Sequence, residues 1–426
     1  MGKTETTLYA GAGKAEIIIP KKAFPTVGEE YTGIRDNPGV RVLILKSEGL
    51  TYVLANFELV SLNDDIDAFK TYIASTTNAK KENIWICVTH SLTTPHMFAF
   101  AEKGNREEKD KFSVLHQAVE QALESASAQA EKLIQPAKFG FGLGNCSINV
   151  NRTISTQEGW WLGNNEHGPS DKSVPVFKFS TLDDRPIAIL FNYNAQCSVM
   201  DGSYTSNGDK LVSGDLAGAT SRFIEQEYGN EAVAMYCLGA GGDQAPELKA
   251  VRTIRNLHGK TKIIDMKENG FLLLDILGSR LGQEVVEICE EIICKDITRP
   301  IKTVHRTFTY VSQYIPDMKD IKPSKDYIYR EVGQVDTDVE VLEIGDYALV
   351  GVKPEICCRT AMRIKDKSPY LGMGIMTFVN GGAKYMPEAD MYDMITFQSM
   401  NSRFVKGTAE RFEKDIIKLL QETRKN

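Results

Sequence analysis

Long apolar runs are missing from this sequence of 426 residues. No stretch reaches the roughly 18 consecutive apolar residues that a membrane-spanning helix requires. The opening residues, Met-Gly-Lys-Thr-Glu-Thr, also lack the apolar core of a secretory signal peptide. These absences argue against a membrane partner, and we expect a cytoplasmic protein unless a leader has been removed.

Blocks of positive charge are missing as well. The 50 Lys and Arg residues are interspersed with 57 Asp and Glu residues, and the formal net charge is −7. Proteins that bind nucleic acid need clustered basic side chains to neutralise phosphates. The sequence therefore predicts a small-molecule substrate and no nucleic-acid partner, and it does not indicate an oligomeric state.

Cysteines are present, but no Cys-x-x-Cys pair occurs among the eight, and Cys357 and Cys358 are adjacent. Neighbouring residues rarely have the geometry for a disulfide bond. Reduced thiols are the expected state, which agrees with a cytoplasmic location.

Apolar segments of strand length alternate with amphipathic helical patterns. Helical spacing occurs from Leu115 to Leu133 and from Leu274 to Ile292. The predicted strands are Val42 to Leu45, Tyr52 to Phe57, Ile84 to Val88, Ala188 to Phe191, Ala232 to Cys237, Ala348 to Val352 and Ile375 to Val379. Continuous apolar strands with covering helices favour an α/β fold with a layered, mixed β-sheet core. No linker or repeat interrupts the pattern, so we expect a single domain over residues 1–426.

The longest stretch without a clear periodic pattern runs from Gly144 to Ser173 and contains Trp160 and Trp161. Loops of this length are commonly functional. The paired indoles are expected either to form a platform for a sugar or an acyl chain or to anchor the loop on the core. The sequence leaves these alternatives about even.

Strand ends carry the residues that are most suggestive of chemistry. His90 follows one predicted strand, and the turn from Gly239 to Asp243 follows another. The glycines match neither a P-loop nor a dinucleotide-binding fingerprint, so a tight turn that ends in an acid is the better interpretation. A histidine at a strand end is suited to metal binding or proton transfer.

The order of several short motifs resembles the catalytic domain of the neutral, non-lysosomal ceramidase family over nearly the whole chain. The matching segments are Gly11 to Ile17, Thr89 to Pro95, Asn151-Arg152, Asp171 to Phe179, Phe191 to Cys197, Ser213 to Asp215, Gly241 to Pro246, Asn380 to Tyr385 and Pro387-Glu388. The chain resembles a short member without the immunoglobulin-like C-terminal domain. This resemblance implies the ceramidase-like α/β fold and a metal-dependent hydrolase.

The resemblance also implies a ligand set for zinc, with ferrous iron as the alternative. His90, Glu355 and Tyr385 match three of the family's ligand positions, and Cys197 stands at the fourth, where the family has histidine. A thiolate is a good ligand for either metal. It would also weaken the Lewis acidity of the ion.

Other positions suggest that the substrate is not ceramide. Ala245 stands where the family has a serine, and Leu92 replaces a second histidine. We therefore predict hydrolysis of an amide, ester or glycoside-type bond in a small sugar- or acyl-containing molecule. The predicted residues besides the metal ligands are Asp243 or Asp215 as general base, Arg152 and Tyr385 as further catalytic groups, and Trp160, Trp161, Asn151 and His96 for substrate binding.

Two other functions remain open. Cys197 could act as a nucleophile with His90 as its base, without a metal. Alternatively, the chain could be a non-catalytic binding protein that keeps the fold. Cys197 could also be a buried core residue.

Overall fold

The structure is a computed structural model that describes residues 7–62, 65–97, 104–255 and 261–425. The helices are α1 (Ile66–Thr77), α2 (Arg106–Lys132), α3 (Asp215–Glu227), α4 (Gly270–Glu291), α5 (Cys358–Asp366), α6 (Ala389–Asp393), α7 (Phe397–Met400) and α8 (Thr408–Lys425). The strands are β1 (Leu8–Glu16), β2 (Gly33–Ile34), β3 (Gly39–Ser47), β4 (Leu50–Phe57), β5 (Ile84–Val88), β6 (Gln135–Asn145), β7 (Asn149–Ser155), β8 (Trp160–Asn165), β9 (Ser173–Ser180), β10 (Pro186–Tyr193), β11 (Leu211–Val212), β12 (Val233–Leu238), β13 (Gln244–Pro246), β14 (Val251–Arg255), β15 (Thr261–Asp265), β16 (Lys302–Gln313), β17 (Glu331–Ile344), β18 (Tyr347–Val352), β19 (Glu355–Ile356), β20 (Gly372–Met376) and β21 (Tyr385–Met386). Within the described residues, no helix combines the length and apolar character needed to cross a bilayer.

Two mixed sheets form the centre of the molecule. The larger has eight strands in the order β12-β10-β9-β6-β1-β3-β4-β5, and the smaller has four in the order β16-β17-β18-β20. The pairs β10–β12, β4–β5 and β18–β20 are parallel, and the other pairs within these two sheets are antiparallel. The predicted mixed-sheet α/β core is confirmed.

The sheets pack face to face between two helical layers. In β3, Val42 and Ile44 join a core cluster beneath α2, whereas Leu43 and Leu45 face the smaller sheet. Successive side chains of a strand point to opposite faces, so a run that is apolar throughout can fill two layers at once. Helices α3 and α4 cover the same outer face of the larger sheet, and α5 and α8 cover the smaller sheet.

The glycines of the opening segment serve packing. A Cβ atom on Gly13 would lie 2.1 Å from the carbonyl oxygen of Ala126, and one on Gly11 would lie 2.2 Å from that of Ala130. Both carbonyls belong to α2. These glycines therefore let the helix approach the backbone of β1.

Two element predictions need correction. The stretch from Gly144 to Ser173 contains the paired strands β7 and β8, in which Trp160 and Trp161 lie opposite Ser155 and Ile154. The strand predicted to reach Val379 ends at Met376, because the following residues turn through left-handed conformations at Phe378 and Asn380. The two predicted amphipathic helices are confirmed as parts of α2 and α4.

Candidate functional site

The site is assembled where strands of both sheets end. The ring of His90, which follows β5, stacks on Phe378 beyond β20, with ring centroids 4.4 Å apart. The hydroxyl of Thr377 donates to the carbonyl of Gly239 at the end of β12 (2.9 Å). The backbone N–H of Asn380 donates to Ile86 in β5 (2.8 Å). These contacts connect the ends of β5, β12 and β20, as expected for strand ends of an α/β protein.

Backbone strain is concentrated in the same region. His90, Phe378, Asn380 and Lys384 have φ angles of 53°, 56°, 56° and 61°. Non-glycine residues seldom adopt this left-handed conformation, which costs about 1–3 kcal/mol and is common at functional sites. The segment after β20 therefore holds its side chains in positions that relaxed backbone would not produce.

A buried hydrogen-bond network joins Arg152 to Glu355 through Gln196. The Nη1 of Arg152 donates to Oε1 of Gln196 (2.7 Å), and Nε2 of Gln196 donates to Oε1 of Glu355. The Nη2 of Arg152 also donates to the hydroxyl of Tyr385 (3.0 Å) and to the carbonyl of Gly242 (2.8 Å). Glu355 and Tyr385 come together because the short strands β19 and β21 pair in parallel.

His90 is adjacent to this network. Its Nδ1 lies 2.8 Å from the carbonyl oxygen of Val60. Because a carbonyl can only accept, Nδ1 carries the proton and Nε2 retains its lone pair. Burial lowers the pKa of His90, Arg152 lowers it further, and Glu355 opposes the change. The imidazole is therefore neutral at pH 7.

Tyr385 remains neutral and Arg152 remains charged in this network. Burial raises the pKa of Tyr385, and Glu355 adds to this increase, so the side chain remains a phenol. Burial disfavours the charged form of Arg152, but Tyr385 and Glu355 outweigh it and raise the pKa of the guanidinium. The site thus offers a cation, a phenol, a carboxylate and a neutral imidazole.

Cys197 does not join these groups, which corrects the expectation that it is a ligand. Its side chain lies in a core cluster with Tyr236 and is fully buried. Burial raises the pKa of this thiol, and Asp215 raises it further. Gln196, one residue earlier, points instead toward Glu355, to which its Nε2 donates a hydrogen bond.

The carboxylate of Asp215 is bonded to backbone amides, which corrects its expected role as a base. Its carboxylate accepts the backbone N–H groups of Val199 (2.9 Å), Met200 (3.0 Å) and Leu216 (2.8 Å). Burial raises the pKa of Asp215, and these N–H groups oppose that increase. The residue closes a turn at the start of α3.

Asp243 and Asn151 lie on the other side of β7 from the Arg152 side chain. Oδ2 of Asp243 accepts from Nδ2 of Asn151 (3.0 Å), and Oδ1 accepts from the N–H of Cys358 (2.9 Å). The nearby Glu388 forms a buried pair of carboxyl groups with Asp243. The structure thus places both predicted residues beside the network and outside its hydrogen bonds.

The two tryptophans differ in their relation to the site. Trp161 makes an edge contact with Phe397 (5.5 Å between centroids), and Phe397 makes one with Tyr385 (5.8 Å). Trp160 is its partly buried neighbour. His96, paired with Glu29, lies close enough to lower the pKa of His90.

Sequence reasoning missed Gln196, Lys384 and Arg403. The first two lie within segments that resemble ceramidase motifs, directly beside Cys197 and Tyr385, which match the ligand positions. Burial lowers the pKa of the Lys384 amine, Arg403 lowers it further, and Glu355 opposes the change. Arg403 had no sequence signal, because only the tertiary fold brings it beside Lys384.

Comparisons with solved structures show which fold this chain has. The structure of neutral ceramidase from Pseudomonas aeruginosa is similar to this chain with a TM-score of 0.73 and 15% identity, over 99% of this chain and 75% of that chain. The chain has the neutral ceramidase fold. A structure described as ceramidase complexed with C2 is similar with a TM-score of 0.73 and 14% identity, over 99% of this chain and 76% of that chain.

No protein-family profile matches the sequence, and no curated protein sequence matches it. The ceramidase-like fold inferred from the motif order is confirmed. Because the identity to both solved structures is low, the likeness establishes the architecture, and any statement about chemistry depends on the residues of the site itself.

Proposed function

We propose that this protein is a hydrolase whose reaction takes place at the cluster of His90, Arg152, Gln196, Glu355 and Tyr385. The observation that carries the proposal is the buried network from Arg152 through Gln196 to Glu355, with Tyr385 bonded to the same guanidinium. These residues come from distant parts of the chain and meet at strand ends of the neutral ceramidase fold. Such placement is typical of active sites in α/β proteins.

The donor set fits a divalent metal ion of the zinc type. Within the described residues, no three His, Cys, Asp or Glu side chains converge on a metal site. The cluster instead offers two such residues, His90 through Nε2 and Glu355, together with the phenol oxygen of Tyr385. The bond from Nδ1 of His90 to a backbone carbonyl is the orientation that metal-binding histidines commonly show. An ion held there would supply Lewis acidity and water activation.

A buried carboxylate without a direct ion pair supports the same assignment. Glu355 is 2% exposed and forms no ion pair within 4 Å with another described residue. Burial of an unpaired charge is costly. Cys197 is omitted from this ligand set because its thiol lies in the core.

Each residue of the cluster has a distinct role in the proposed hydrolysis. Arg152 would stabilise negative charge that develops on the substrate oxygen, since its guanidinium is held rigidly by neutral acceptors. Gln196 fixes both Arg152 and Glu355. With Asp215 bonded to backbone amides, we assign proton acceptance from water to Glu355.

Water is the proposed nucleophile. Ala245 has no hydroxyl group, and Cys197 is a buried thiol with a raised pKa. A raised pKa disfavours the thiolate that nucleophilic catalysis needs. The thiol-dependent alternative therefore loses its support.

A matched pair of histidine variants tests the proposal. Purified protein would be analysed for metals and then assayed on p-nitrophenyl esters, p-nitrophenyl glycosides and acyl p-nitroanilides, with and without added zinc. We expect one substrate class to be hydrolysed and His90→Ala to reduce kcat/KM by at least about 100-fold with loss of metal. The exposed His167→Ala serves as the control.

Two results would contradict this proposal. Equal activity in the two variants would show that His90 is not part of the site. Absence of hydrolysis in every zinc-supplemented assay would favour the non-catalytic binding protein.

A further inference from the structure

The segment between β16 and β17 lines a cavity outside the proposed hydrolytic cluster. The cavity has a volume of about 380 Å³, which lies within the range of about 300–1,000 Å³ that is typical of small-molecule sites. Its lining residues are Tyr314, Pro316, Asp326, Tyr327, Ile328 and Arg330. The cavity is large enough to be considered as a binding site in its own right.

Hydrogen bonds and ring contacts hold this segment in place. The backbone N–H of Tyr314 donates to the carbonyl of Arg330 (2.8 Å), which closes the segment at its base. The ring of Tyr327 makes an edge contact with that of Tyr329 (4.8 Å between centroids). The hydroxyl of Tyr329 is in turn bonded to that of Ser399 (2.8 Å). Because the cavity is already formed, a ligand would pay little for ordering it.

The cavity borders elements that carry the proposed active site. Tyr327 lines the cavity and packs against the apolar cluster that contains Phe397 and Tyr385. The turn between β7 and β8 touches the same segment, since a Cβ atom on Gly159 would lie 2.3 Å from the carbonyl oxygen of Ser324. A group bound in the cavity would therefore contact a residue that also packs beside the active site.

Two of the lining side chains carry opposite charges that are not neutralised by direct contacts. Asp326 and Arg330 are exposed, and neither side chain forms a hydrogen bond or an ion pair in the part of the chain that the structure describes. Arg330 would repel a cation in the cavity, and Asp326 would repel an anion. This pair of charges therefore suits a neutral ligand that has several hydrogen-bonding groups.

The remaining lining is apolar and largely open to water. Tyr314 is 53% exposed and Ile328 is 76% exposed. Large apolar side chains that are exposed together are typical of binding surfaces. A purely apolar ligand would nevertheless remove Asp326 and Arg330 from water without offering them partners, which is costly.

We propose that this cavity binds a neutral sugar ring. The C–H faces of a sugar can pack on aromatic and aliphatic side chains, which Tyr314, Tyr327 and Ile328 provide. The hydroxyls at the edge of the ring can donate to the carboxylate of Asp326 and accept from the guanidinium of Arg330. This inference goes beyond the proposed hydrolase, because binding is measured without any reaction.

Ligand-observed NMR titrations of the whole protein test the inference. The probes are the methyl glycosides of glucose, galactose, mannose and N-acetylglucosamine, and cyclohexanol is a six-membered ring with a single hydroxyl. We expect at least one glycoside to bind at least about tenfold more tightly than cyclohexanol. Added salt should change that affinity less than about twofold, since the glycosides carry no charge.

Matched double variants locate the binding. Tyr314→Ala with Asp326→Ala removes a ring face and an acceptor and should weaken glycoside binding at least about tenfold. Tyr204→Ala with Asp296→Ala makes the same changes at exposed positions elsewhere and should leave the affinity unchanged. Because the substituted residues are all exposed, both proteins should keep the melting temperature of the wild type.

Three results would overturn the sugar site. The first is that no glycoside binds more tightly than cyclohexanol, and the second is that the two double variants lose affinity equally. The third is tighter binding of choline or of free leucine than of any glycoside, which would assign the cavity to a charged ligand. Hydrolysis plays no part in these titrations, so the sugar site and the hydrolase proposal can each fail without the other.

Discussion

Asp243 and Glu388 are two buried carboxyl groups beside the site, close enough for their negative charges to repel each other. Oε1 of Glu388 accepts from the N–H and hydroxyl of Thr360 (3.0 and 3.2 Å), and Oε2 has no hydrogen-bond partner among the described residues. Burial raises the pKa of Glu388 to about 7, and the charge of Asp243 adds to this increase. Burial raises the pKa of Asp243 as well.

This pair predicts a pH dependence of stability at the residue scale. The folded state holds a proton on Glu388 up to about pH 7, whereas the unfolded carboxyl releases it near its ordinary pKa of 4.5. The folded state therefore binds more protons in this window, and the free energy of unfolding must fall as pH rises through it. Denaturant unfolding between about pH 5 and pH 8 should show this fall in wild type and a shallower one in Glu388→Gln.

The exposed Glu158→Gln provides the control, which should retain the wild-type slope. The account of Glu388 is wrong if the two variants have the same slope.

The hairpin of β7 and β8 is the element that connects the surface to the site. Arg152 and Asn151 are consecutive in β7, so one side chain enters the network and the other reaches Asp243. Trp161 in β8 packs against Phe397, which in turn contacts Tyr385. This hairpin thus places Arg152 in the network and connects Trp161 to it through Phe397.

Substitution of Trp161 should therefore raise KM more than substitution of Trp160. Trp161→Ala removes an edge contact to Phe397 and should raise KM about two- to tenfold, since such aromatic contacts contribute roughly 0.5–1.5 kcal/mol. Trp160→Ala should change KM less. Steady-state kinetics and melting temperatures of both variants provide the check. A loss of melting temperature in Trp161→Ala without a change in KM would instead assign this indole to anchoring the hairpin.

The whole molecule shows which features sequence patterns can predict. Apolar runs predicted the most buried strands of both sheets, such as β3, β10 and β18, and helical spacing predicted α2 and α4, because burial on a defined face imposes a period. The partly exposed strands β6, β16 and β17 lack such continuous runs and were not predicted. The hairpin at Trp160 was missed because its glycine and polar residues obscure alternation. Motif order predicted His90, Arg152, Glu355 and Tyr385 as site residues, and the structure places them near one another.

The assignment of Cys197 depended on counting residues within one short motif. Gln196 and Cys197 lie in an irregular segment after β10, so no periodic signal reveals which of the two side chains enters the site. Tertiary structure was also needed for Arg403, since it comes near Lys384 through the pairing of Lys384 with Ser402.

The central claim is that the ends of strands from both sheets form one active site, into which the segment after β10 delivers Gln196. Comparing kcat/KM of Gln196→Ala and Cys197→Ala, on whichever substrate class the wild type hydrolyses, tests this claim most directly. We expect Gln196→Ala to reduce kcat/KM at least about tenfold with little change in melting temperature, because Arg152 and Glu355 lose their shared partner. Cys197→Ala should lower the melting temperature and leave kcat/KM within about twofold, as expected for a core position. A large loss of activity in Cys197→Ala combined with wild-type activity in Gln196→Ala would contradict the account.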